Sequence, residues 1–210
     1  MTRTSSTPSS RLNGAARYIA LLRAINVGGH VVKMDQLRRI FESMSLDNVQ
    51  TFIASGNVIF ESGRARPQTL EQTLEKRLQA ALGYPVLTFL RTPAEMIAAA
   101  AHAPFGETVE EGASIYVAFL KAAPDRAARQ KVEALGGDLD AFDVHAREVY
   151  WLRRKARERA GEPPPPFDRA LGAPVTTRNI TTVRKIAAKY CSGDALGGQN
   201  PSQSRARKRR

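Results

Sequence analysis

Three stretches of this chain combine small residues with side chains that bind anionic oxygens. The first is Arg23-Ala24-Ile25-Asn26-Val27-Gly28-Gly29. Gly28 and Gly29 permit positive φ and let backbone amides approach a ligand, while Arg23 offers a planar fork matched to phosphate or carboxylate. The spacing is not that of a Walker loop. The same residues also read as a strand-to-helix turn whose Arg pairs with a carboxylate. The second stretch is Ser55-Gly56-Asn57, where turn chemistry competes with ligand contact. It lacks the Gly-x-Ser-x-Gly pattern of a nucleophile elbow. The third is Thr176-Thr177-Arg178-Asn179, followed by Thr181 and Thr182. It reads as the start of the last helix, where capping residues and free amides favour an anion.

Other chemistry is thinner. His30, His102 and His145 lie far apart in sequence and show no ligand spacing, so no metal site is expected. The acids form no recognisable general acid–base pair, and no residue pattern implies a cofactor. Trp151 follows a strand pattern and reads as core or sheet surface. A second kind of site is possible through charge alone. The net charge is +12. The first 14 residues hold two arginines and the last ten hold Arg205, Arg207, Lys208, Arg209 and Arg210, without acids in either, so 15–200 is only mildly basic at +5. Arg153, Arg154, Lys155 and Arg157 crowd a further basic segment that runs into Pro163–Pro166. Such charges attract nucleic-acid phosphates non-specifically and in a strongly salt-dependent way.

The elements that must position these groups alternate clearly. Tyr18–Leu22 is a short apolar run that reads as a buried strand. Met34, Leu37, Ile40, Phe41 and Met44 recur at helical spacing over about 33–45. Val49–Ile53 and Val58–Phe60 read as a hairpin turning at Gly56. Pro67 opens a helix carried by Leu70, Leu74, Leu78 and Leu82, and Gly83 ends it. Tyr84–Leu90 is another strand. Thr92-Pro93-Ala94-Glu95 has the signature of a capping box. The second half repeats the order loosely: strand 114–120, helix 124–135, hairpin 141–145 with 148–152, and a helix over about 179–190. No last strand is visible in it.

This order predicts an α+β protein of two ferredoxin-like (α/β-plait) units, the second incomplete or variant, with disordered termini. The expected division is a leader over 1–15, a first unit over 16–92, a linking helix and loop over 93–112, a second unit over 113–191 and a basic tail over 192–210. Cys191 is the only cysteine, so no internal disulfide forms. No apolar run reaches the length of a membrane span, and the N-terminal stretch lacks a secretory h-region. These features point to a cytoplasmic protein without a membrane partner.

Leu22-Arg23-Ala24-Ile25-Asn26-Val27-Gly28-Gly29, Lys33-Met34, Ser55-Gly56-Asn57-Val58-Ile59-Phe60 and Thr177-Arg178-Asn179-x-x-Thr182-Val183 resemble the bacterial domain-of-unknown-function 1697 family. The resemblance covers about 17–190. It implies two ferredoxin-like units and no established activity. Two positions depart from the family pattern: Ile180 replaces an aromatic, and Phe167–Leu171 replaces a Ser-Lys-type element.

The resulting expectation is a small phosphorylated or carboxylated ligand held in a polar cleft between the two units. Arg23, Asn26, Gly28, Gly29, Lys33, Ser55, Asn57, Thr177, Arg178 and Asn179 are its candidate contacts. Two alternatives stand beside it: nucleic-acid binding through the basic segment and tail, and a partner-binding module without a small ligand. No oligomeric state is implied.

Overall fold

The computed structural model describes residues 15–26, 29, 31–63, 66–106, 110–154 and 166–191. The expected leader, the basic tail, Gly28, Lys155, Arg157 and most of the proline run lie outside them.

The first half builds β1 (Ala16–Leu22), α1 (Met34–Glu42), β2 (Asp47–Phe52), β3 (Asn57–Ser62), α2 (Pro67–Leu82) and β4 (Thr88–Arg91). The sheet order is β2-β3-β1-β4, antiparallel throughout. The hairpin expected at Gly56 forms, with Phe52 opposite Asn57. Gly56 has φ +71°, and a Cβ there would stand 2.6 Å from Ile25 Cγ2. Glycine is therefore required for both conformation and packing. Pro67 occupies the first turn of α2 and Gly83 closes it at φ 82°.

The second half builds α3 (Pro93–Ala101), β5 (Ser114–Phe119), α4 (Arg126–Glu133), β6 (Asp140–His145), β7 (Glu148–Arg153), α5 (Phe167–Leu171), β8 (Thr176–Asn179) and α6 (Ile180–Ile186), which runs on as a π-helical turn to Cys191. Its sheet order is β6-β7-β5-β8. The chain is thus α+β, with two four-stranded antiparallel sheets and helices, consistent with two ferredoxin-like units. Two expectations need correction. The last strand exists, and it is the polar stretch Thr176–Asn179. Hydrophobic patterning misses it because it is only four residues long and its inward groups are Thr176 and Arg178. The last helix consequently starts at Ile180, with Asn179 accepting from the Thr181 amide as its cap.

Each sheet carries buried apolar residues on both faces. One face of the first sheet carries Tyr18, Ala20, Val58 and Phe60 beneath Leu37 and Phe41 of α1 and Leu70, Leu74 and Leu78 of α2. The corresponding face of the second sheet carries Ala118, Val144, Val149 and Trp151 beneath Val132 of α4 and Phe167 and Leu171 of α5. The remaining faces share one core. In it Ile19, Leu21 and Phe89 of the first sheet and Val117, Phe119 and Tyr150 of the second pack with Met96 of α3 and Val183 and Ile186 of α6. Fully burying an aliphatic side chain of this kind stabilises by about 1.5–3 kcal/mol, so this shared core binds the two halves to each other.

The halves are related by an internal pseudo-repeat. The Leu22 amide donates to Gly56 O at 2.8 Å, and the Leu120 amide donates to Arg147 O at 3.0 Å. Three residues before these leucines, Ile19 pairs with Arg91 and Val117 pairs with Arg178. Each arginine is followed by a helix cap, Thr92 for α3 and Asn179 for α6. Tyr18 opposite Phe60 likewise corresponds to Tyr116 opposite Trp151.

Candidate functional site

The pseudo-repeat explains two buried arginines. Arg91, fully buried, donates from Nε to Glu148 Oε1 at 2.7 Å and from Nη2 to Leu120 O at 2.9 Å and Arg147 O at 3.2 Å. Arg178, 7% exposed, donates from Nε to Asn57 Oδ1 at 2.6 Å and from Nη2 to Leu22 O at 2.9 Å and Gly56 O at 3.4 Å. Its Nη1 reaches Thr176 Oγ1 and Thr177 O. Each last strand therefore sends a guanidinium into the other half, where it satisfies carbonyls at the hairpin base. Burial pushes Arg178 down to about 10, still above neutral pH, so it remains a cation.

Of the expected contacts, several are occupied by the fold itself. Asn57 is fully buried, and its Nδ2 donates to Phe52 O and Ser55 Oγ. Asn26 ties its loop, donating to Ala54 O at 2.8 Å and accepting from the Val32 amide at 2.7 Å. Ser55, Asn57 and Arg178 do meet, as a buried hydrogen-bonded chain rather than as the wall of a hollow. A fork with its donors on protein carbonyls has little left for a ligand. Gly29 and Lys33 are exposed, with Lys33 just ahead of α1.

Arg23, Thr177 and Asn179 come together elsewhere. They line a cleft of about 960 Å³ whose floor includes Tyr116 and Trp151. Arg153, at the end of β7, and Asp168 and Arg169, in α5, complete its polar rim. Sequence reading grouped Arg153 with the nucleic-acid segment and left Tyr116, Asp168 and Arg169 out of the site. Their common signal is tertiary: β5, β7, β8 and α5 meet only in the folded chain. Arg23 stands 3.8 Å from Asp168, and Arg153 stands 3.9 Å from Asp140. Both pairs are long and partly exposed, and such pairs contribute little to stability. The Arg153 guanidinium also lies 5.5 Å from the Trp151 ring centroid.

Among the described residues, the cleft lies beside a short helix. In the first half, sixteen-residue α2 packs on β4, where Leu90 is buried, Phe60 packs on Phe41 of α1, and Tyr18 is 6% exposed. In the second half the helix between the third and fourth strands is five-residue α5. At about 1.5 Å per residue it is roughly a third as long, and it leaves Tyr116 and Thr177 half-buried at the cleft. The position matching Leu90 is thus a threonine where the face is open.

One further correction concerns the histidines. His102 and His145 stack with ring centroids 4.3 Å apart, and His102 Nε2 lies 2.8 Å from Asp143 Oδ2. The hairpin β6–β7 folds back onto the end of α3, which sequence separation conceals. Among the described residues no group of three His, Cys, Asp or Glu side chains is placed to hold a metal ion. Arg154 points away from the cleft towards Glu110 at 3.7 Å and Asp138 O at 3.4 Å. No helix among the described residues is long and apolar enough to cross a membrane.

Fold and site together define a two-sheet α+β protein with a cationic, aromatic-floored cleft at one face. The chain belongs to the family described as protein of unknown function (DUF1697), whose model matches residues 15–150. The matched span contains the Arg23, Lys33 and Ser55–Asn57 stretches and leaves Thr177–Val183 outside it. Among solved structures, the chain is similar to the conserved bacterial protein SP0830 from Streptococcus pneumoniae. That likeness has 20% identity and a TM-score of 0.62, covering 83% of this chain and 98% of the other. At that identity it concerns the fold. The comparison with curated proteins finds no match.

Proposed function

We propose that this protein, built from two ferredoxin-like units, binds a small phosphorylated or carboxylated ligand in the cleft over its second sheet. The observation that carries the reading is the convergence of three arginines from separate stretches on one concave site. Arg23 follows β1, Arg153 ends β7 and Arg169 lies in α5, with Asp168 near Arg23 and Asp140 near Arg153. Guanidinium forks in such a setting match phosphate and carboxylate geometry, and Thr177 and Asn179 add polar groups that orient a ligand. Arg178 and Asn57 serve the reading indirectly, by fixing β8 against the first half.

The test is calorimetric titration of the full chain with inorganic phosphate, sugar phosphates and di- and tricarboxylates. Saturable binding by one class, weakened about tenfold or more in Arg23→Ala and in Arg153→Ala, is the expected result. Both side chains are partly exposed, so these variants keep the fold. A flat response to every class ends the proposal. The nucleic-acid alternative draws only Arg153 and Arg154 from the described residues. Loss of oligonucleotide binding on deleting 201–210 would assign any such activity to the tail.

A further inference from the structure

We infer that the ligand of this cleft couples its anionic group to a flat aromatic ring, in the manner of a nucleoside monophosphate; the inference rests on the anion-binding reading above. Arginines alone would serve a sugar phosphate or a carboxylic acid equally well. The floor is what discriminates. Tyr116 and Trp151 stack at 4.8 Å between centroids and 29° between planes, and Tyr116 is the outer, half-buried member. Phe167 of α5 packs on Trp151 at 5.9 Å, so the inner member of the pair is held in place.

The same aromatic pair occurs in the first half as Tyr18 and Phe60, 5.9 Å apart and 30° between planes. There α1 and α2 close over it, with Phe41 of α1 5.5 Å from Phe60. Over the second sheet the helix among the described residues is five-residue α5, and Tyr116 borders the cleft. A flat π-system laid on this ring would supply a contact like those that bury the pair in the first half. Asn179 stands directly across the strand pair from Tyr116, with its Oδ1 held by the Thr181 amide. Its Nδ2 is left as the donor for acceptors on a base edge. Arg23, Arg153 and Arg169 then surround the ring site with positive charge for the phosphate. Stacking of this kind tolerates any base, because every base has a π-face.

Trp151 is the only tryptophan in the chain, stacks on Tyr116 and itself lines the cleft, so its fluorescence reports on the cleft directly. The experiment titrates the full chain with AMP, GMP, adenosine, ribose 5-phosphate and inorganic phosphate, following Trp151 emission and heat. The expected result is that both nucleotides bind about tenfold or more tightly than ribose 5-phosphate, with adenosine weaker than AMP. Tyr116→Leu, which keeps apolar bulk, should abolish the advantage of AMP over ribose 5-phosphate without moving the melting temperature. Arg23→Ala should weaken AMP and ribose 5-phosphate by the same factor. If ribose 5-phosphate binds as tightly as AMP, the aromatic inference is overturned while the anion cleft stands. If no compound binds, or only long oligonucleotides do, both are overturned.

Discussion

Arg178 is a cation with no carboxylate among its hydrogen-bond partners, whereas its counterpart Arg91 meets Glu148. Asn57 occupies the place that Glu148 holds in the other half. Removing Arg178 would leave Asn57 Oδ1 buried without its donor and Leu22 O with the Thr176 hydroxyl in place of two side-chain donors. Arg178→Ala is therefore expected to destabilise by about 3–5 kcal/mol, read from urea unfolding, with Arg178→Lys failing to restore the loss. Gly56→Ala places a β-carbon against Ile25 at positive φ, and should cost more than about 1 kcal/mol in the same measurement. Glu71 sets a pH dependence. Burial raises it above the ordinary carboxylate range, against the lowering effects of the Leu90 amide and Lys121. The folded chain then holds this proton more tightly than the unfolded chain. Its stabilising contribution is complete below the unfolded value near 4.5 and falls as pH rises towards the higher folded value. Glu71→Gln retains an acceptor for Leu90 and removes the charge. Its stability should decline less between pH 4.5 and neutrality, as urea titrations at several pH values would show.

Helices α3 and α6 lie between the sheets, and their caps set where each begins. In α3 the Thr92 hydroxyl accepts from the Glu95 amide, and the Glu95 carboxylate accepts from the Thr92 amide at 2.9 Å. Arg147, in the β6–β7 turn, also reaches Glu95 Oε1 at 2.6 Å. Thr92→Ala should therefore cost about 1 kcal/mol, and a lowered melting temperature is the readout. The capping box and the Pro67 and Gly83 bounds of α2 are legible in sequence because caps are local chemistry. Strand β8 is not legible, since its partner β5 stands about sixty residues earlier in the chain and its burial depends on contacts with the first half. Helix α5 is equally opaque: a five-residue helix has too few turns to show a period.

At the scale of the molecule, the shared core and the two exchanged arginines make each half part of the other's interior. Thermal unfolding followed by Trp151 fluorescence, which reports the second half, should coincide with unfolding followed by far-ultraviolet circular dichroism. Separate transitions would show that the halves melt independently, contrary to this packing.

Periodicity, caps and turn residues were enough to set out most strands and helices, the α+β class and the doubling of the unit, because these depend on neighbours within a few positions. The polar motifs were visible too, but not their duties. Asn57 and Arg178 turned inward to satisfy carbonyls, with Ser55 accepting from Asn57, while Arg23, Thr177 and Asn179 turned to the cleft. That division was decided by the tertiary structure, because burial and hydrogen-bond partners arise from residues more than a hundred positions apart. The cleft itself is lined by residues in or beside β1, β5, β7, β8 and α5, brought together across the chain, a property that no single stretch of the sequence carries.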